Sequence, residues 1–122
     1  MQQTQLITYG IDGPLLERLR AAAQADRYWL RETHQLSACA RLTWTAAPAG
    51  VVLVLGKELE RELAYLADVH AALPATWTLA VGLTDNPLLA GLAWDVGVTL
   101  ALFPPRRPDE MVEIIPRMLA LR

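Results

Sequence analysis

The sequence predicts an α/β domain of three layers, in which helices cover both faces of a five-stranded parallel sheet. Its 122 residues suit one domain, and no long linker divides them. Short β-favouring apolar runs alternate five times with segments whose apolar residues recur at helical spacing. With 53% hydrophobic and 20% charged residues, the chain is more apolar than an average soluble protein. We therefore treat residues 1–122 as a single doubly wound domain.

The first half of the chain contains two predicted strand–helix units. Gln5–Tyr9 is a β-favouring segment, and the turn Gly10–Pro14 places a proline where the first turn of a helix tolerates it. We interpret the aromatic segment Arg27–Glu32 as the second strand and Gln35–Thr45 as the second helix. The first helix is marked by an apolar stripe at helical spacing: Leu15, Leu16, Leu19, Ala22 and Ala23.

The second half has the clearer pattern. Val51–Leu55 is an uninterrupted β-favouring run, as expected for a strand covered on both faces. Glu58–Leu73 follows as a helix whose acidic first turn complements the helix dipole. Pro116 lies well inside the last helix, where it removes a backbone hydrogen bond, and we expect a bend or a break there. The remaining elements alternate strand and helix in this order: Thr76–Val81, Pro87–Val96, Val98–Phe103 and Asp109–Leu121.

Five β–α units of this size predict a parallel sheet, because right-handed crossovers place the helices on both of its faces. The flavodoxin-like strand order 2-1-3-4-5 is the common solution for a chain of this length. A Rossmann mononucleotide-binding half shows the same alternation and is the main alternative.

Charge and cysteine content exclude several classes of function. The net charge is -2, and the only lysine is Lys57, so the clustered cations that bind nucleic acid are missing. The N-terminus has no basic segment followed by an apolar stretch, and no apolar run approaches the roughly 20 residues that cross a bilayer. Cys39 is the only cysteine and can form neither an internal disulfide nor a thiolate cluster. We expect a cytoplasmic protein that binds neither nucleic acid nor a membrane.

Four short motifs coincide with the predicted element boundaries. They are Asp12-Gly13-Pro14-Leu15-Leu16, Ala93-Trp94-Asp95-Val96-Gly97-Val98, Leu102-Phe103-Pro104-Pro105 and Pro108-Asp109-Glu110-Met111. In spacing they resemble the acidic-acidic-Pro-Leu-Leu, Ala-x-x-x-Gly-Ala, Leu-x-Lys-Pro and Pro-x-Glu-Leu motifs of response-regulator receiver domains. The resemblance covers nearly the whole chain, is weakest between residues 27 and 48, and implies the flavodoxin-like receiver fold.

The same resemblance implies that the phosphorylation residues are missing. A phosphorylatable receiver needs a nucleophilic aspartate at the end of strand three and acids after strand one that hold Mg²⁺. It also needs a Thr or Ser after strand four and a Lys after strand five. Here Leu55 and Gly56 stand at the aspartate, Gly82 at the hydroxyl and Pro104 at the lysine, while Asp12 alone remains of the acids. We expect a degenerate pseudo-receiver that is not an enzyme and uses no metal or cofactor.

Other polar groups are interpreted as structural. The Gly10–Gly13 turn could bind an anion at a helix N-terminus, but two glycines three apart are a weak signal, and Asp12 suits a helix N-cap. His34 and Ser37 could share a helix face, yet no glycine-rich elbow surrounds the serine. His70 has no second ligand at metal spacing.

The chain has more tryptophan than a thin core needs: Trp29, Trp44, Trp77 and Trp94. Trp94 is the best interface candidate, because we expect the inward positions of the fourth helix to be Leu88 or Leu89, Leu92, Ala93 and Val96. In receivers the face formed by helix four, strand five and helix five commonly mediates dimer or partner contacts. The resemblance therefore implies an interface on six residues: Trp94, Asp95, Arg106, Arg107, Glu110 and Glu113.

The sequence thus predicts a non-enzymatic, signalling-related module that binds a protein partner or a second copy of itself, most simply as a two-fold homodimer. The alternative is a small flavodoxin-like ligand-binding protein or enzyme that uses the crevice near Asp12 and Gly56, at the C-terminal ends of strands one and three.

Overall fold

The computed structural model describes residues 4–120, in which five strands alternate with five α-helices and one short 3₁₀ helix. The strands are β1 (Gln5–Tyr9), β2 (Trp29–Thr33), β3 (Gly50–Val54), β4 (Trp77–Val81) and β5 (Leu100–Leu102). The α-helices are α1 (Gly13–Asp26), α2 (Leu36–Ala46), α3 (Leu59–Ala72), α4 (Pro87–Asp95) and α5 (Met111–Ala120), the last preceded by the 3₁₀ helix Pro108–Glu110.

All four strand pairs are parallel, in the order β2-β1-β3-β4-β5. This confirms the predicted doubly wound fold with order 2-1-3-4-5. In the centre of the sheet β3 pairs with β1, with Val51 opposite Ile7, and with β4, with Leu53 opposite Ala80. The chain reverses its direction of winding between β1 and β3, and the carboxyl ends of these strands are therefore the place where such sheets form a crevice.

Each face of the sheet carries its own apolar layer, because successive strand residues point to opposite faces. Ile7, Val51 and Leu53 belong to the layer beneath α2, α3 and α4. Leu6 and Val52 belong to the layer beneath α1 and α5. All five residues are fully buried, which explains why β3 reads as a continuous apolar run rather than an alternating one.

Two strands, β2 and β5, differ from their predicted ranges by more than one residue at one end. Arg27 ends α1 in the left-handed conformation, with φ 59°, so β2 begins at Trp29 rather than at Arg27. The predicted fifth strand is longer than β5, because only Leu100–Leu102 form the ladder with Leu79–Val81.

The last helix is continuous through Pro116, so the break that we expected there is not observed. Proline removes only its own N–H from the ladder. Met111 and Ile115, both fully buried, hold the preceding turn of α5 against the sheet. No helix within residues 4–120 is long and apolar enough to span a membrane.

Candidate functional site

The crevice lies at the carboxyl ends of β1 and β3 and has a volume of about 340 Å³. Its walls are Tyr9, Gly10, Asp12, His34, Val54, Leu55, Gly56, Lys57 and Leu83. Asp12, Leu55 and Gly56, three of the five positions predicted from the phosphorylation site, therefore come together here. The other two, Gly82 and Pro104, do not line it.

The end of β3 offers the crevice no carboxylate. Leu55 follows the strand directly, donates its N–H to the carbonyl of Val81 at 2.8 Å, and buries its side chain in the layer beneath α2, α3 and α4. Gly56 comes next with φ +136°, a conformation that side chains rarely adopt. A nucleophile is therefore absent at the two positions where the receiver resemblance would require one.

Phe103 fills the space beside Gly82, where a receiver would carry its hydroxyl residue. A Cβ atom added to Gly82 would lie 2.1 Å from Cε2 of the Phe103 ring. Gly82 is buried, and its N–H donates to the carbonyl of Leu102 at 2.9 Å. A threonine or serine cannot occupy this position without moving the ring. Pro104 follows the ring, joined to Pro105 by a cis peptide bond, and has no ammonium group.

The mouth of the crevice carries one carboxylate, that of Asp12, and one ammonium, that of Lys57, beside the His34 side chain. Asp12 is exposed at the N-cap position of α1, as predicted, but its side chain makes no capping hydrogen bond. The ammonium of Lys57 reaches the His34 carbonyl oxygen at 3.3 Å and so connects the β3–α3 and β2–α2 loops. Within residues 4–120, no three His, Cys, Asp or Glu side chains converge as metal ligands would.

Glu62 is the acid that sequence reasoning missed. It is 0% exposed and accepts hydrogen bonds from the Tyr9 hydroxyl at 2.8 Å, the Gly56 N–H at 2.9 Å and the Glu58 N–H at 3.0 Å. Burial, and then the bond to Glu62, raise the pKa of the Tyr9 phenol far above its ordinary value. The sequence did contain a signal for the burial of Glu62. Glu62 precedes Leu66 by four residues and therefore lies on the same inward face of the helix.

Three of the five charged residues of the predicted interface, Arg106, Arg107 and Glu110, are already paired within the chain. Arg106 contacts Glu110 at 3.4 Å, and Arg107 contacts Asp109 at 2.7 Å, where its hydrogen bonds hold the pKa of Asp109 below the ordinary value. Arg18 of α1 approaches the same Asp109 carboxylate at 3.7 Å. These arginines therefore stabilise the start of α5 without any partner.

The six predicted interface residues do not form one cluster. α4 runs antiparallel to β5, and its nine residues span about 13 Å. Trp94 and Asp95, at its end, lie near the amino end of β5, whereas Arg106, Arg107, Glu110 and Glu113 follow the carboxyl end of that strand. An interface that used all six residues would have to extend along the whole β5 edge of the sheet.

The outward surface of α4 is more apolar than we predicted. Leu89 and Ala93 face the core, but Leu88 is 75% exposed and Leu92 also lies outside, contrary to its predicted inward position. We define the α4 outer surface by its exposed residues: Pro87, Leu88, Gly91, Leu92, Trp94 and Asp95. Leu83, in the loop before α4, is exposed as well.

Trp94 is 49% exposed, and Trp29 and Trp44 are about as exposed as Trp94. Trp77 alone is a core residue, and its indole lies 2.2 Å from where a Cβ on Gly50 would be. Three of the four tryptophans, Trp29, Trp44 and Trp94, therefore lie outside the core, in line with the expectation that the core does not need them all.

Of the remaining polar groups considered in the sequence, His70 and Cys39 have side-chain packing contacts. The side chains of His34 and Ser37 make no hydrogen bond to each other within the described chain, and the His34 carbonyl binds Lys57. The His70 ring packs on Gly97, where an added Cβ would lie 2.4 Å from it. Buried Cys39 contacts the Tyr65 hydroxyl at 3.6 Å.

No protein-family model and no curated protein matches the sequence, whereas solved structures do match the fold. A CheY-like response regulator receiver domain protein from Methanospirillum hungatei has a TM-score of 0.80 at 12% identity, over 98% of this chain and 96% of its own. The signal receiver domain of an HD domain-containing protein from Pseudomonas fluorescens has a TM-score of 0.79 at 16% identity, over 98% and 97%.

A CheY-like protein, TadZ, from Pseudomonas aeruginosa has a TM-score of 0.71 at 18% identity, covering 95% of this chain and 99% of its own. Identities this low show the fold alone. This chain has the fold of a CheY-like response-regulator receiver domain.

Proposed function

We propose that this protein is a receiver-like regulatory module that acts by binding a protein, most simply a second copy of itself, and not by aspartyl phosphorylation. The observation that carries the proposal is the α4 outer surface, where Leu88, Leu92 and Trp94 remain exposed on one short helix. Exposed apolar side chains that gather on one helix, rather than scatter singly over the surface, mark interaction sites on soluble proteins.

The residues around the crevice support the second part of the proposal, that the protein does not act by aspartyl phosphorylation. An acyl phosphate forms when a carboxylate attacks phosphorus, and Mg²⁺ and cationic or hydroxyl groups stabilise the transferred oxygens. Leu55 and Gly56 offer no carboxylate, the Phe103 ring occupies the hydroxyl position at Gly82, and Pro104 offers no ammonium. Transfer by this route therefore lacks its nucleophile and two of its stabilising groups.

The geometry of α4 supports an interface on its β5 side. Leu92 and Trp94 are two residues apart, about 200° around the helix, and so form opposite edges of the α4 outer surface. With right-handed crossovers, the Trp94 edge is the one towards β5. A standard interface buries about 800 Å² on each partner, which is wide enough to extend from Trp94 to the Arg106–Arg107 loop.

Affinity in this arrangement comes from the apolar centre rather than from the charged rim. Because Arg106 and Arg107 already pair with Glu110 and Asp109, an exchange of partners across a two-fold axis gains little. The indole of Trp94, half-exposed in the isolated chain, has area left to bury and is the kind of side chain that dominates interface energetics.

Sedimentation equilibrium at micromolar protein tests the proposal. We expect a monomer–dimer equilibrium that Trp94→Ala weakens about 30-fold or more, as for an interface hot spot of about 2 kcal/mol. Trp29→Ala is the matched control, because Trp29 is 50% exposed but lies on β2 at the opposite edge of the sheet. A clean monomer at all concentrations removes the homodimer, and a dimer sensitive to Trp29 alone moves the interface to β2.

A second candidate function is favoured by the crevice itself, whose mouth combines Asp12, His34 and Lys57 around a volume of about 340 Å³. A small ligand with both a cationic and an anionic group would complement this pair of charges. A thermal-shift screen separates the two functions, since a ligand that binds only the folded protein raises its melting temperature.

A further inference from the structure

Glu62 has an environment that few acids have. Its side chain is fully buried in the first turns of α3, where glutamate is ordinarily solvated. Oε2 accepts from the Tyr9 hydroxyl at 2.8 Å and from the Glu58 N–H at 3.0 Å, while Oε1 accepts from the Gly56 N–H at 2.9 Å. No ion pair within residues 4–120 involves Glu62, so three donors rather than a cation hold it.

These donors form the kind of group that binds an anion. Two are backbone N–H groups at the junction of a loop and a helix N-terminus, where the helix dipole favours negative charge. The third is a phenol from β1, which belongs to a different element of the fold. Hydrogen bonds to an ionised acceptor are about twice as strong as neutral ones, and together they can hold a buried carboxylate.

We propose that Glu62 is the resident anion of the β3–α3 loop. Its carboxylate fills the anion site formed by the Gly56 N–H, the Glu58 N–H and the Tyr9 hydroxyl, and it fixes the loop that lines the crevice. Glu62 is thus a positioning residue for Lys57, which lies between the two bound amides and reaches across the mouth to the His34 carbonyl. The site is closed to external phosphate because the chain supplies its own carboxylate.

The arrangement requires a carboxylate and not merely a polar side chain of the same size. Oε2 faces two donors and Oε1 faces a third, so an amide in either orientation places its NH₂ against at least one backbone N–H. Glu62→Gln therefore leaves a donor unpaired in a buried site. Glu60→Gln is the matched control, because Glu60 lies in the same first turn but is exposed.

Hydrogen exchange of individual amides, measured by NMR on the whole protein, tests the proposal. In the wild type we expect the Gly56 and Glu58 amides to exchange at least about tenfold more slowly than the Lys57 amide between them. The Lys57 N–H has no backbone acceptor among residues 4–120, which makes it an internal reference. A loop that is merely ordered as a whole would not show this alternation.

Glu62→Gln should remove the slow exchange of at least one of the two amides, Gly56 or Glu58, while Glu60→Gln should retain both and Tyr9→Phe should retain the slow Gly56 amide. Titration with inorganic phosphate should leave the wild-type Gly56 and Glu58 resonances unmoved. The proposal is overturned if Gly56 and Glu58 exchange as fast as Lys57 in the wild type, or if phosphate shifts their resonances. The wild-type pattern decides the question even where Glu62→Gln does not fold. Retained protection of both the Gly56 and the Glu58 amide in a folded Glu62→Gln protein would also contradict it.

Discussion

The crevice and the α4 outer surface differ in how completely the chain satisfies its own groups. Around the crevice, the Phe103 ring packs into the space beside Gly82. The Glu62 carboxylate accepts hydrogen bonds from the Gly56 and Glu58 N–H groups of the β3–α3 loop. On α4, Leu88 and Trp94 remain exposed at 75% and 49%, and no element of the described chain covers them. One region is closed by internal contacts, and the other is left open.

Under the proposed function, this difference corresponds to a receiver fold that lacks phosphorylation chemistry and keeps an interaction surface. The positions that would do chemistry are replaced by apolar or small residues that pack, as Leu55 does, into the layer beneath α2, α3 and α4. Such packing stabilises the fold. The exposed leucines of α4 contribute little to folding in the isolated chain, and under the proposed function a bound partner accounts for their apolar character.

The largest expected effect on the free energy of unfolding comes from comparing substitutions on the inner and outer faces of α4. Leu89→Ala should destabilise the protein by about 2–5 kcal/mol, because Leu89 is 8% exposed and its loss leaves a cavity. Leu88→Ala, one residue earlier but exposed, should stay within about 0.5 kcal/mol. Urea unfolding at low protein concentration measures both, provided that the slope is unchanged. Equal losses in the two variants would mean that α4 has no outer surface of the kind described.

A smaller effect is expected from adding one methyl group at each of two glycines. Gly82→Ala should cost about 1–3 kcal/mol, because its Cβ meets the Phe103 ring in a packed site. Gly91→Ala should stabilise by about 0.5–1 kcal/mol, because that glycine lies within α4 with open space around it. Combining Gly82→Ala with Phe103→Leu should recover part of the loss. A neutral Gly82→Ala would show that the crevice end could accept a larger residue.

The sequence was sufficient to predict the fold, because the patterns that indicate strands and helices are local and recur along the chain. The continuous apolar run of β3 and the helical stripes indicated the alternation of strands and helices, and the motif spacings indicated the receiver-like order of strands. Leu92 was misplaced for a physical reason: α4 is apolar nearly all round, so periodicity does not define its inward face. A nine-residue helix at the edge of the sheet buries only a narrow stripe, here Leu89 and Ala93.

The contacts of the candidate site were harder to predict, because they join residues far apart in sequence. Nothing local to Tyr9 indicates that its hydroxyl meets Glu62, 53 positions later. The pairing of Arg18 with Asp109 likewise depends on α1 lying beside α5. By contrast, the residues that follow β3 are known from the sequence directly, and neither Leu55 nor Gly56 has a nucleophilic side chain.

The central claim is that the crevice cannot take a phosphoryl group, and intact-protein mass spectrometry after incubation with acetyl phosphate and Mg²⁺ tests it most directly. A phosphorylatable receiver domain treated in parallel serves as the positive control. We expect this protein to keep its unmodified mass while the control gains the mass of one phosphoryl group. An adduct on this chain that resists acid but is lost in alkali, as an acyl phosphate would be, contradicts the account.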